Sequence, residues 1–99
     1  MGRARRSRPK KLQVKLCEIR SRLDITQEEM AQSLIKYGAE KTTHSGYIAD
    51  FETGKREPSL LGVLAYAKLI GVCADVLLDD ELDLPEKLPR KLKNQSLNT

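Results

Sequence analysis

Apolar residues recur along the first part of the chain at helical rather than strand spacing. Leu12, Leu16, Ile19 and Leu23 follow one another at intervals of four, three and four, which places them on one stripe of a helix. Pro9 suits the first turn of that helix, where a missing N–H is no loss. Asp24 is a fitting stop, because short polar side chains tolerate the left-handed conformation. Lys10, Lys11, Lys15 and Arg22 fall mostly off the stripe and are expected on the outer side. A second helix is predicted from Gln27 to Tyr37, burying Met30, Ala31 and Leu34 and ending at Gly38. It opens on a capping box, with Thr26 accepting the Glu29 backbone N–H and the Glu29 carboxylate reaching back.

Residues 39–44 form a polar loop, with Thr43 or His44 near the next N-cap. The third helix is predicted over 45–53 and closed by Gly54. Ile48 and Phe51 lie on its inner face, Tyr47 at the border, and His44, Ser45, Ala49 and Asp50 outward. Ser59 caps a fourth helix from Leu60 to Ile70. Its Leu60, Leu61, Leu64, Ala67 and Leu69 surround much of the cylinder, so the buried centre of the fold is expected there. After Gly71 comes a short fifth helix with Val76, Leu77 and Leu78 directed inward. Beyond Asp80 the pattern fades. Pro85 and Pro89 exclude regular helix from 83 to 89, leaving an extended peptide that either covers the domain or meets a partner. The division expected is a basic flexible arm over 1–8, a helical domain over 9–82 and an extension over 83–99, of which the last ten residues should be disordered.

At 99 residues, with 39% hydrophobic and 4% aromatic residues, the core must rest on Leu, Ile, Val and Ala, which favours packed helices over a sheet. No apolar run approaches the roughly 18 residues of a membrane span, and no apolar stretch follows the basic N-terminus as in a secretory signal. A cytoplasmic protein without membrane contact is expected. Cys17 and Cys73 form no C-x-x-C pair and read as free thiols in a reducing compartment.

Charge is unevenly divided. Residues 1–23 carry nine Lys/Arg and one Glu, residues 24–74 five bases and seven acids, residues 75–86 six acids and no base, and residues 87–99 four bases and no acid. The body is therefore net negative, and attraction to a polyanion would come from the arm with Arg3, Arg5, Arg6 and Arg8. That arm reads either as a solubility tail or as a segment that follows phosphates or enters a minor groove. The chain has one histidine, no paired nucleophile, no H-E-x-x-H and no Gly-rich phosphate loop, so neither an enzyme nor a cofactor is expected. The acids at 79–83 lack the spacing of a calcium loop and read as a solvated surface, so no metal is expected.

One ordered series of residues has a specific counterpart. Arg20, Thr26-Gln27-Glu28-Glu29-Met30-Ala31, Tyr47-Ile48, Phe51-Glu52-x-Gly54-Lys55-Arg56-x-Pro58 and Leu69-Ile70-Gly71-Val72 together resemble the Cro/cI, or XRE-type, helix-turn-helix family of bacterial and phage regulators, over about residues 12–80. The resemblance implies an all-α, five-helix, lambda-repressor-like fold whose third helix reads the major groove while the second crosses the backbone. It implies that Arg20 and Glu52 form an internal ion pair between the first and third helices. Gln27 is then expected at a phosphate, a role that a helix N-terminus favours on electrostatic grounds; the plain alternative is a first-turn polar residue. Lys55 and Arg56 would reach a flanking phosphate, or stand as solvated turn charges.

Base reading is expected from His44, Ser45 and Ala49, with Lys41 and Thr43 at the backbone. No Arg or Lys lies on this helix, so the common bidentate guanine contact is unavailable from it. The chain departs from the family in two ways. The 35–43 segment is longer than the usual turn, leaving either an extended second helix or a loop with contacts of its own. Asp50 stands outward where a base or polar residue is usual, facing a cytosine amino group or Lys41, or weakening the grip on DNA.

The expected function is a sequence-specific DNA-binding transcriptional regulator, most simply a repressor. A homodimer on two-fold half-sites about 34 Å apart is expected, because one short helix reads few base pairs. One alternative is an antitoxin-like interaction module that binds a protein through 75–89 as well as DNA; another is non-specific nucleic-acid binding driven by the arm.

Overall fold

The computed structural model describes residues 10–88. The arm with Arg3, Arg5, Arg6 and Arg8, the helix-opening role of Pro9 and the segment after 88 lie outside the described residues. Within them the chain forms five helices and no strand: α1 (Leu12–Leu23), α2 (Gln27–Lys36), α3 (Ser45–Thr53), α4 (Leu60–Ile70) and α5 (Ala74–Leu78). Among the described residues no helix is long and apolar enough to cross a membrane.

Helix ends fall where local chemistry stops the backbone. Asp24 takes the left-handed conformation at φ 57° and donates its N–H to Arg20 and Ser21 carbonyls. The Thr26–Glu29 capping box closes in both directions, with Glu29 N–H on Thr26 Oγ1 at 3.0 Å and Thr26 N–H on Glu29 Oε1 at 2.9 Å. Gly54 and Gly71 end α3 and α4 at φ 84° and 81°, values at which a side chain is strained. α2 stops at Lys36 with Tyr37 as its C-cap, so the second helix is not extended into the long connection. That connection is instead pinned: Ala39 is buried and donates its N–H to Leu34 O at 2.9 Å.

The core is one cluster to which all five helices contribute. Leu16, Ile19, Met30, Leu34, Ile48, Leu69, Ile70 and Leu77 have no accessible surface, each stabilising the fold by about 1.5–3 kcal/mol through burial. α4 runs through the centre with Val63, Ala65, Tyr66 and Ala67, but not as its apolar composition alone suggests. Leu60 and Leu61, in its first turn, are 68% and 49% exposed, so that turn is left uncovered by the other described residues. Leu78 is likewise exposed, and of α5 only Leu77 is fully inside. Tyr66 is wholly enclosed and its hydroxyl has no hydrogen-bond partner among the described residues. Burial pushes the phenol up from its ordinary pKa, and the nearby Glu52 charge adds to the shift, so the group stays neutral.

Lys15 corrects its expected place on the outside of α1. It is 5% exposed, and its ammonium donates to the carbonyls of Val76, Asp79 and Leu82 at 2.7, 2.9 and 2.6 Å. These carbonyls lie in and just after the short α5, where positive charge is favoured, and that of Asp79 also accepts the Leu82 N–H at 3.0 Å. Arg22 stays exposed as expected and donates to Pro85 O at 2.5 Å and Glu86 O at 3.3 Å while pairing with Glu18. With Leu88 buried in the core cluster, the peptide after α5 covers α1, which was one of its two expected courses.

Candidate nucleic-acid interface

α2 and α3 form the most extensive helix pairing among the described residues, and the chemistry at its edge is specific. Arg20 of α1 grips Glu52 of α3 with two parallel bonds, Nε to Oε2 at 2.7 Å and Nη2 to Oε1 at 3.0 Å. Its remaining Nη1 donates to Ile25 O at 2.9 Å, which fixes the turn between α1 and α2. The Glu52 side chain is only 6% exposed, so the carboxylate is held where losing the guanidinium would strand a buried charge. The hydrogen bonds it donates to Glu52 hold the Arg20 guanidinium above its ordinary pKa, against the opposing effect of burial. Gln27, at the first position of α2, donates Nε2 to Glu52 Oε1 at 3.4 Å. Three helices thus converge on one carboxylate, with the N-terminus of α2 beside it.

The start of α3 is organised by His44. Its Nδ1 accepts the Gly46 N–H at 3.0 Å, so the N-cap is His44 and not Thr43, whose hydroxyl donates to Glu40 O at 2.6 Å. Gly46 is needed for this arrangement: a Cβ there would lie 2.8 Å from the imidazole Cε1. The His44 ring lies 4.2 Å from the Tyr47 ring, and the Arg56 guanidinium sits 4.4 Å from the centre of Tyr47. Arg56 Nε also faces Asp50 Oδ2 at 3.6 Å. The outward acid therefore meets Arg56, from the turn that ends its own helix, and not Lys41. Lys55 and Arg56 donate their backbone N–H groups to Asp50 O at 2.9 and 3.2 Å, closing that turn.

These interactions sort the expected site residues into two groups. Ser45, Lys41 and Lys55 are exposed, and Ala49 is half-buried. His44, Thr43, Gln27 and Arg56 are exposed or half-buried too, yet each already serves a neighbour through one polar group or face. Sequence reasoning missed Asp80, which takes the Lys10 and Lys11 backbone N–H groups on Oδ2 and Oδ1 at 2.9 and 3.0 Å. These bonds lower its pKa from 3.8. It also missed Gln13, whose carboxamide lies over Gly54. Neither has a local signal, since the Asp80 partners are 70 and 69 residues away in sequence. Among the described residues no group of three or more His, Cys, Asp or Glu is placed to hold a metal. Cys17 is half-buried and Cys73 exposed, both as free thiols.

No family model, curated protein or solved structure matches the chain.

Proposed function

We propose that this chain is a sequence-specific DNA-binding regulator of the Cro/cI type with a lambda-repressor-like fold. Its simplest action is as a repressor that occupies an operator, with α3 entering the major groove. The observation that carries this reading is the convergence of Arg20, Glu52 and Gln27. It locks α1, α2 and α3 at one angle, with the open N–H groups and positive partial charge of the α2 N-terminus at the same edge. A helix that must present side chains to base edges needs such rigid support, and Ser45 with Ala49 supplies a small, polar-to-apolar reading surface. Lys41, Thr43, Lys55 and Arg56 flank it as groups for the DNA backbone, and the arginine arm supplies general attraction that a net-negative body lacks.

Two copies on two-fold half-sites complete the reading, because nine residues of helix cover few base pairs. Exposed Leu60, Leu61, Leu78 and Leu82 leave apolar surface for a protein contact. A second copy is the simplest occupant. A stoichiometric partner that co-purifies with the chain would support the antitoxin-like reading instead.

Selection of bound duplexes from a random pool tests the proposal, followed by titration of selected and random duplexes at several salt concentrations. The selected duplex should bind about a thousandfold tighter or more at physiological salt. Equal affinities with a steep salt slope would leave only non-specific binding.

A further inference from the structure

Between the start of α1 and the turn after α3 lies an open groove of about 300 Å³, whose lining includes Lys10, Gln13, Gly54, Arg56 and Glu57. We propose that this groove is a seat for one backbone phosphodiester, formed by the side chains of Lys10, Gln13 and Arg56, and that it extends the interface beyond the α2–α3 pair. The inference rests on the DNA reading and adds to it residues of α1's leading end.

Each group is held in place by something else. The Lys10 and Lys11 backbone N–H groups are both taken by the Asp80 carboxylate. The helix N-terminus is thus already occupied, and the seat depends on side chains. The same bonds fix where the Lys10 side chain begins, and that residue is exposed. Gln13 is laid across Gly54 so closely that a Cβ there would fall 2.1 Å from its Oε1. Only a glycine lets the carboxamide reach this position over the end of α3. Arg56 is aimed by the Tyr47 ring at 4.4 Å and by Asp50 on its Nε, which pre-organises a planar donor that suits phosphate oxygens.

Lys10 and Arg56 bring two cations to the lining and Glu57 one carboxylate, with Asp50 against the Arg56 Nε. In sequence the seat adjoins the basic arm, whose Arg8 stands two residues before Lys10.

Fluorescence anisotropy of selected and random duplexes at several salt concentrations, with the full chain and three variants, tests the seat. Lys10→Gln should weaken both duplexes by a similar factor and lower the salt slope by about one, as removing one cation from a phosphate does. Gln13→Ala should weaken both several-fold with little change of slope, because the group is neutral. Glu57→Gln should tighten both and raise the slope, a gain that a merely structural role would not produce. Thermal melts confirm that the variants fold. If duplex binding is normal while Lys10→Gln and Gln13→Ala stay within twofold of the parent, the seat is refuted and the DNA reading stands. If the unaltered chain binds no duplex at any salt, the DNA reading itself falls and the seat with it.

Discussion

Lys15 and Asp80 exchange roles where α1 meets α5. Asp80 accepts the N–H groups just before α1, at Lys10 and Lys11. Lys15, one turn further along, donates to the carbonyls of Val76, Asp79 and Leu82 in and after the end of α5. Each charge meets the helix end whose partial charge it complements.

Lys15→Met is therefore expected to destabilise the fold by about 2–4 kcal/mol, because three buried or half-buried carbonyls lose a charged donor. Lys15→Arg should recover only part of this, since a planar guanidinium cannot aim at three converging carbonyls as an ammonium can. Urea unfolding of the two variants beside the parent measures both effects. Equal stability of Lys15→Met and the parent would show that water replaces the ammonium.

Asp80 gives the fold a dependence on pH with a definite sign. Its carboxyl is held below the ordinary 3.8 by the Lys11 and Lys10 N–H groups. A lowered folded-state pKa stabilises the fold above the unfolded value, and that contribution is lost as pH falls through the folded one. Melting temperature should therefore drop more steeply for the parent than for Asp80→Asn as the pH falls through 3.8 and below. Parallel curves would exclude the carboxylate as their source.

Arg20 and Glu52 should be energetically coupled. A double-mutant cycle of Arg20→Ala and Glu52→Ala is expected to give an interaction energy of about 1–3 kcal/mol, given the paired bonds. Arg20→Lys should not restore it, because one ammonium cannot reproduce the two parallel bonds. Chemical denaturation supplies all four corners of the cycle, and a coupling near zero would mean that α1 and α3 hold their angle without the pair.

Gly54→Ala has two separable penalties. The backbone at φ 84° imposes about 1–2 kcal/mol on any residue with a Cβ, and the new methyl also meets Gln13. Adding Gln13→Ala should recover the second part and leave the first. Complete recovery of stability in the double variant would show that the backbone geometry costs nothing.

Ser45→Ala is expected to alter which base is preferred at one operator position, by about 1–3 kcal/mol, while leaving affinity for random duplex unchanged. Removal of residues 1–8 should lower affinity for every duplex and reduce the salt slope by roughly one for each phosphate the arm had neutralised. Repeating the selection with each variant separates the two effects; an unchanged affinity after arm removal would contradict the charge argument.

Where a feature is set by neighbours in sequence, it was legible in advance. The stop at Asp24, the Thr26–Glu29 box, and the glycine ends at Gly54 and Gly71 all follow from the conformations and donors of adjacent residues. The apolar stripe of α1 was equally plain. The Arg20–Glu52 pair, 32 residues apart, was reached only through the family resemblance. Side chains whose partners lie 60 to 70 residues away had no such signal. Lys15 reads as a surface lysine because periodicity describes the helix and not the carbonyls across from it. Leu60 and Leu61 read as core because composition cannot tell which turn of a helix the neighbouring elements fail to cover. At the candidate interface, Ser45 and Lys55 were placed outward as expected. The engagement of His44 with Gly46 and of Arg56 with Tyr47 and Asp50 depends on loop geometry that spacing does not encode.

The exchange between Lys15 and Asp80 also sets a schedule for synthesis. Of the five helices α1 leaves the ribosome first, yet its leading N–H groups lack their acceptor until Asp80 has been added. Lys15 lacks the last of its three carbonyls until the chain has passed Leu82. A nascent fragment that stops short of α5 can coil α1 but cannot finish either half of the exchange. The described body therefore completes itself only once its last helix has emerged, and the earliest helix to be made is among the last to be fully secured.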